Sequence, residues 1–172
     1  MTGPRGRSAE IVQDVIARVP FALEVVTLVT ADGGPGGMTI SSLALLSMDP
    51  PSVSMAIGSQ AALREEFVVG RRLCVNILGA GQVGESFGFS YGTEDPFEVF
   101  DWEPAPDGTP ILGGTAGYLL CDIEQVVDHH GTSVVLAGVV GGATRSDETL
   151  VYRMRRYYAH LGEPVSDMRG SW

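Results

Sequence analysis

Apolar residues fall in short, β-branched or alternating runs separated by glycine and proline. Residues 22–30 (ALEVVTLVT) read as a strand on composition. Gly33, Gly34, Gly36 and Gly37 around Pro35 form a turn into a second strand, 38–47 (MTISSLALLS). Asp49-Pro50-Pro51 ends it, because proline has no amide to donate to a ladder. Residues 52–57 (SVSMAI) alternate like a half-buried strand, 73–78 (LCVNIL) give another, and two long strands, 115–127 and 132–143, flank the turn Asp128-His129-His130-Gly131. Helical spacing places Ile11, Val12, Val15 and Ile16 behind a capping Ser8 in a helix that stops before Pro20. It also predicts a helix over 60–70, with Leu63 and Phe67 on one face, and a weak one near 81–88. Residues 89–114 carry Phe97, Phe100 and Trp102 among Pro, Gly and Asp, as expected of a loop pinned by its rings. The segment 150–161 begins as a strand and ends as a helix, and residues 1–9 and 162–172 are expected to be flexible. Many hairpin-spaced strands and few helices predict a mainly β fold, an antiparallel barrel with peripheral helices, as one domain over 1–172.

Charge narrows the function. The 172 residues hold 11 cations, all Arg, against 21 Asp and Glu, for a net charge of -10. Nucleic acid and anionic membranes are poor partners for such a chain, since both require cations to displace counterions. The lack of lysine excludes Schiff-base catalysis. No apolar stretch approaches the roughly 20 residues of a membrane span, and no apolar run follows the two N-terminal arginines, so a cytoplasmic location is expected. Cys74 and Cys121 lack CxxC spacing and sit in apolar strands, which makes them core residues. His129 and His130 are adjacent on a strand and point to opposite faces, with His160 remote, so no metal site is expected. The glycine pairs match neither GxxxxGK[ST] nor GxGxxG after a strand.

Two groups of polar residues carry candidate chemistry. Thr39, Ser41, Ser42, Ser47, Ser52, Ser54 and Ser59 could form a wall of hydroxyls for a planar polar ligand or a phosphate, or line a solvated sheet face. Arg153, Arg155 and Arg156 beside Tyr157 and Tyr158 could hold and stack an anionic ligand, or form a solvated surface.

The order of segments adds to this reading. GMTISSLALLSMDPPSVSMAI (37–57), LCVNIL (73–78), the Phe-rich middle ending at Trp102, GTPILGGTAGYLLC (108–121) and LVYRMRRYYAHL (150–161) together resemble the short-chain flavin reductases, the reductase components of two-component flavin monooxygenases. The resemblance spans roughly residues 10–161 and implies a split β-barrel that forms a homodimer. It further implies FMN or FAD at the barrel rim, lying on the end of the 38–42 strand against Met38, Thr39, Ile40, Ser41 and Ser42, with Tyr157 close by. The phosphate would sit near Ser59 and Gln60 at the N-terminus of the 60–70 helix. NADH or NADPH would stack on the flavin and pass it a hydride, and reduced flavin would leave for a partner monooxygenase.

The chain departs from the family pattern at informative places. Ser41 stands for an Asn of the signature run, Gln60 and Leu63 stand for phosphate-binding Ser and Thr, and Pro96 replaces a basic residue. Gly131-Thr132-Ser133 takes the place of a Gly-Asp-His run near the nicotinamide, leaving Ser133 and the neighbouring His130 as candidate catalytic groups. Each charge-assisted phosphate bond lost costs roughly 1.5–3 kcal/mol. Three readings therefore stand: an NAD(P)H-dependent flavin reductase, a repurposed barrel acting as a cyclase or isomerase on an apolar biosynthetic substrate, and a non-catalytic flavin-binding protein.

Overall fold

The computed structural model describes residues 4–92 and 95–159. The tail 162–172 and His160 lie outside the described residues. Helix α1 spans Pro4–Ile16, so it starts earlier than its apolar spacing suggests. Residues 4–9 are helical, and Ser8 lies inside the helix. Pro4 suits the first helical position, where a missing N–H costs nothing.

Seven strands form one sheet: β2 (Glu24–Val29), β3 (Pro35–Ile40), β4 (Ala44–Met48), β5 (Pro51–Ile57), β6 (Arg72–Ile77), β9 (Gly117–His129) and β10 (Thr132–Thr144), in the order β3-β2-β6-β9-β10-β5-β4. Each neighbouring pair is antiparallel. The expected strand 38–47 is divided, with residues 41–43 crossing from β3 to β4, and a cis Asp49–Pro50 bond lies in the β4–β5 turn. β1 (Phe21–Ala22), β11 (Val151–Arg153) and β12 (Arg156–Tyr158) make a second small sheet, and β7 (Trp102–Pro104) pairs with β8 (Pro110–Leu112). The segment 150–161 therefore supplies two strands, with no helix among its described residues.

Burial follows the period of two. Val26, Leu28, Ile40, Val53, Met55, Ile57, Leu73, Val75, Ile123 and Val135 share one core, so the sheet curls until β3 and β5 both face the same interior. The edges β3 and β4 do not pair, and the result is an antiparallel split barrel. The opposite face of β2 packs Leu23 and Val25 with Leu78, Leu112, Leu150 and Phe89. The aromatic pin exists as expected, with Phe97 edge-on to Trp102 at 5.6 Å, and Phe89 completes it at 5.1 Å from Phe97. These rings hold helix α2 (Val83–Phe87), the π-turn Gly88–Gly92 and helix α3 (Pro96–Val99) against β3. A Cβ on Gly37 would lie 2.6 Å from the Phe89 ring, so β3 requires glycine there for the approach. Cys74 and Cys121 are fully buried in strands, where desolvation pushes both thiols up to about 12, as inert core residues.

The 60–70 helix is absent. Only Arg64–Glu66 turn, as a 3-10 helix. Leu63 and Phe67 do reach the barrel core, as their spacing suggests. Tertiary anchors override the helical preference, because Arg64 bonds to Ser133 and Asp128 while the Gly70 amide donates to the Ile123 carbonyl at 2.8 Å.

Candidate functional site

Pleating divides the hydroxyl-rich region. Along β3, Met38 and Ile40 point toward the barrel core, so Thr39 and, past the strand end, Ser41 fall on the face covered by α2 and the π-turn. The Thr39 hydroxyl donates to the Ser86 carbonyl at 2.8 Å, which ties β3 to α2. Leu23, Thr39, Ile40, Ser41, Ser86 and Ser90, with Tyr91, Tyr152 and Tyr157, surround a cleft of about 200 Å³. Four of the residues selected from the sequence thus meet: Thr39, Ile40, Ser41 and Tyr157. The Tyr152 and Tyr157 rings lie 5.3 Å apart across the β11–β12 hairpin. The cleft is smaller than the about 300–1,000 Å³ of a typical small-molecule site, so a bound nucleotide would extend out of it.

The remaining selected residues take other places. Ser42 donates to the Ala56 carbonyl at 3.2 Å and accepts from the Ala56 amide at 3.0 Å, so its hydroxyl serves β5 as a strand partner would. Ser47 accepts from the Asp49 amide at 3.1 Å, and Ser52 and Ser54 alternate with the buried Val53 and Met55. A continuous wall of hydroxyls is therefore not formed. Ser59 and Gln60 are exposed beyond β5 and precede only the 3-10 turn Arg64–Glu66, so the expected α-helix N-terminus for a phosphate is missing. Leu63 packs into the core, and a Cβ on Gly36 would meet it at 3.1 Å.

A second cluster forms where the β9–β10 hairpin meets residues 59–64. Ser133 is only 6% exposed and pairs with Ile57 of β5. Its Oγ accepts from Arg64 Nε at 3.1 Å, and Arg64 Nη2 donates to Asp128 Oδ2 at 2.6 Å. A Cβ on Gly131 would stand 3.6 Å from Ser59 Cβ, so the hairpin tip lies beside Ser59. His130 occupies the exposed tip with a left-handed backbone (φ 52°), its ring 4.4 Å from that of His129. The β10–β5 ladder links the two regions, since Ala56, which holds Ser42, pairs with Val134 beside Ser133.

Sequence reasoning missed Ser86, Ser90, Tyr91, Arg64 and Glu24. The four-residue spacing of Ser86 and Ser90, whose hydroxyl donates back to the Ser86 carbonyl at 2.8 Å, was the available signal for that face. Glu24 had none, because a lone Glu in an apolar strand reads as its solvent-facing position. It is 3% exposed, and its cross-strand partners are Ile40 and Ile77. Oε2 has no hydrogen-bond partner, and burial pushes the carboxyl up to about 8, so it is neutral at pH 7.

Comparison with known proteins agrees with this architecture. The flavin reductase like domain matches residues 22–160. The FMN reductase (NADH) RutF of Cronobacter sakazakii is 33% identical over 159 residues, covering 89% of this chain and 93% of that protein. The reductase subunit of stachydrine N-demethylase from Rhizobium meliloti is 29% identical over 128 residues, 74% of this chain, and the chain spans only about half (55%) of that relative's length. The structure of a nitrilotriacetate monooxygenase component B homolog from Mycobacterium thermoresistibile superposes with a TM-score of 0.85 at 25% identity, over 97% of this chain and 96% of that one. The chain belongs to the flavin reductase like domain family.

Proposed function

We propose that this chain is an NAD(P)H-dependent flavin reductase that holds FMN or FAD against the cleft at the end of β3 and gives up reduced flavin to a separate monooxygenase. The meeting of Thr39, Ile40 and Ser41 with Tyr157 in one cleft carries this reading. The residues present fit a flavin. Ser41 offers an exposed hydroxyl at the mouth, Thr39 keeps acceptor lone pairs after its bond to Ser86, and the tyrosines offer ring faces and phenols for a planar heterocycle. A bound flavin accepts the hydride of the reduced nicotinamide. The protein's own residues bind and orient: Leu23 supplies apolar surface, and Phe89 and Phe97 fix the segment carrying Ser86 and Ser90. Ser59 and Gln60 would meet the phosphate as side-chain donors, without an α-helix dipole behind them. Ser133 holds Arg64 through its hydroxyl, and His130 lies at the exposed hairpin tip.

The working unit is a homodimer. Edge strand β4 exposes Leu45 (63%) and Met48 (76%), and an apolar groove of about 580 Å³ lined by Ile77, Leu119 and Val139 opens at the barrel end, which suits burial against a second copy. A monooxygenase acceptor is supported by the name of the nitrilotriacetate monooxygenase component B homolog. No helix among the described residues is long and apolar enough to cross a membrane.

Filling the cleft tests its role. Ser41→Trp should raise the Michaelis constant for FMN about tenfold or more, the effect of roughly 1.4 kcal/mol of lost binding, with an unchanged thermal midpoint. An unchanged constant in the folded variant would place the flavin elsewhere.

A further inference from the structure

We propose that helix α1 is an exchanged arm: its apolar stripe, Ile11, Val12, Val15 and Ile16, seats in the barrel-end groove of a second copy, and that copy's α1 seats in return. This rests on the homodimer reading and names the element that builds its interface.

The helix needs a cover that its own barrel does not supply. A chain of 13 residues is marginal as an isolated helix, since even strong helix formers need roughly 12–15. Residues 7–16 are all exposed, and Ile11, Val12, Val15 and Ile16 each keep 49–59% of their surface in water. The base of the helix is fixed. The Met154 amide donates to the Ala17 carbonyl at 2.8 Å, and Arg153 Nε donates to the Arg18 carbonyl at 3.0 Å. The arm therefore projects from the β11–β12 hairpin with its stripe bare.

The same chain carries the receiving surface. The groove walls are apolar at Ile77, Leu119 and Val139, and Gly141 and Gly142 keep one wall low enough for a helix to approach. That β10 wall, from Val139 to Thr144, runs roughly 17 Å. The stripe with Val19 added runs roughly 12 Å along the arm, so it fits. Glu24, the cross-strand partner of Ile77, is buried at this end with Oε2 unpaired, so the groove floor lacks a polar partner as well as an apolar cover.

Charge favours a second copy as the occupant. Residues 1–20 hold three arginines against Glu10 and Asp14, a net +1, which leaves -11 on the rest of a chain of net -10. Arg7 lies one turn before Ile11 on the same helix face, and the exposed Asp147 and Glu148 stand at the groove rim between the lining residues Ser146 and Thr149. Two reciprocal seats bury on the order of 1,600 Å², the size of a stable interface.

Light scattering on the full chain tests this, together with disulfide trapping. Wild type should have the mass of two copies. Val12→Asp with Ile16→Asp should raise the dissociation constant about 100-fold or more, with the circular dichroism of the folded barrel kept. Val15→Cys with Ala143→Cys in one chain should give, on mild oxidation, a covalent band of two copies, because Cys74 and Cys121 are fully buried and do not compete. A dimer that keeps its affinity in the aspartate variant and gives no covalent band would overturn the inference alone. A disulfide closed within single chains would also overturn it, by seating the arm on its own barrel. A monomeric wild-type chain would overturn it together with the homodimer reading.

Discussion

Replacing Glu24 with Met should stabilise the folded chain increasingly with pH, the advantage growing by on the order of 3–5 kcal/mol between pH 4 and pH 8. Burial raises this carboxyl from 4.5 to about 8. Below 4.5 both folded and unfolded chains hold the proton, and the group adds no pH dependence. Between 4.5 and about 8 the unfolded chain releases the proton while the folded chain keeps it, so wild-type stability falls as pH rises. Above about 8 both states are ionised and the difference levels off. Met next to Ile40 and Ile77 has nothing to ionise and leaves no orphan oxygen. Urea unfolding of both chains across this range provides the measurement. A constant difference would mean that Glu24 finds a partner in solution. Asp122 behaves oppositely: its hydrogen bond from Arg72 holds the carboxylate low, and that contribution is lost in acid, but it is common to both chains and cancels.

The second large effect lies at Asn76. Its Nδ2 donates to the Val25 carbonyl and to Thr27 Oγ1, both at 3.0 Å, and its Oδ1 accepts from the Leu112 amide at 2.8 Å. Thr27 in turn donates to the Pro110 carbonyl. One fully buried side chain therefore joins β2, β6 and β8, and β8 brings Leu112 into the core beneath the aromatic pin. Asn76→Ala leaves the Leu112 amide and its companions buried without partners, at about 1–3 kcal/mol each, so a loss of about 3–5 kcal/mol is expected in denaturant unfolding. A loss below about 1 kcal/mol would show that water or a shift of β8 satisfies these groups.

The strands were largely legible, and the site only in part. Alternation in SVSMAI and the β-branched run around Val25 survive as β5 and β2 because one face of each is buried in the same barrel. Thr39 and Ser41 stand out in the sequence as hydroxyls, while Ile40 and the strand-end position follow from the family resemblance. What their neighbours do was not legible, since it depends on contacts far along the chain. Ser42 is taken by Ala56, Ser133 by Arg64, and the 60–70 helix gives way to the bonds that draw Arg64 onto the hairpin. Tyr157 reaches the cleft through a β-hairpin that the helical reading of 150–161 does not contain.

The central claim is tested most directly by purified chain mixed with FMN or FAD and NADH or NADPH, following the loss of reduced-nicotinamide absorbance in air. Many turnovers per chain with at least one flavin, saturating in both nucleotides and lost on omission of flavin, is the expected result. No flavin-dependent oxidation with any of the four pairs, from a chain that is folded by circular dichroism, would contradict it.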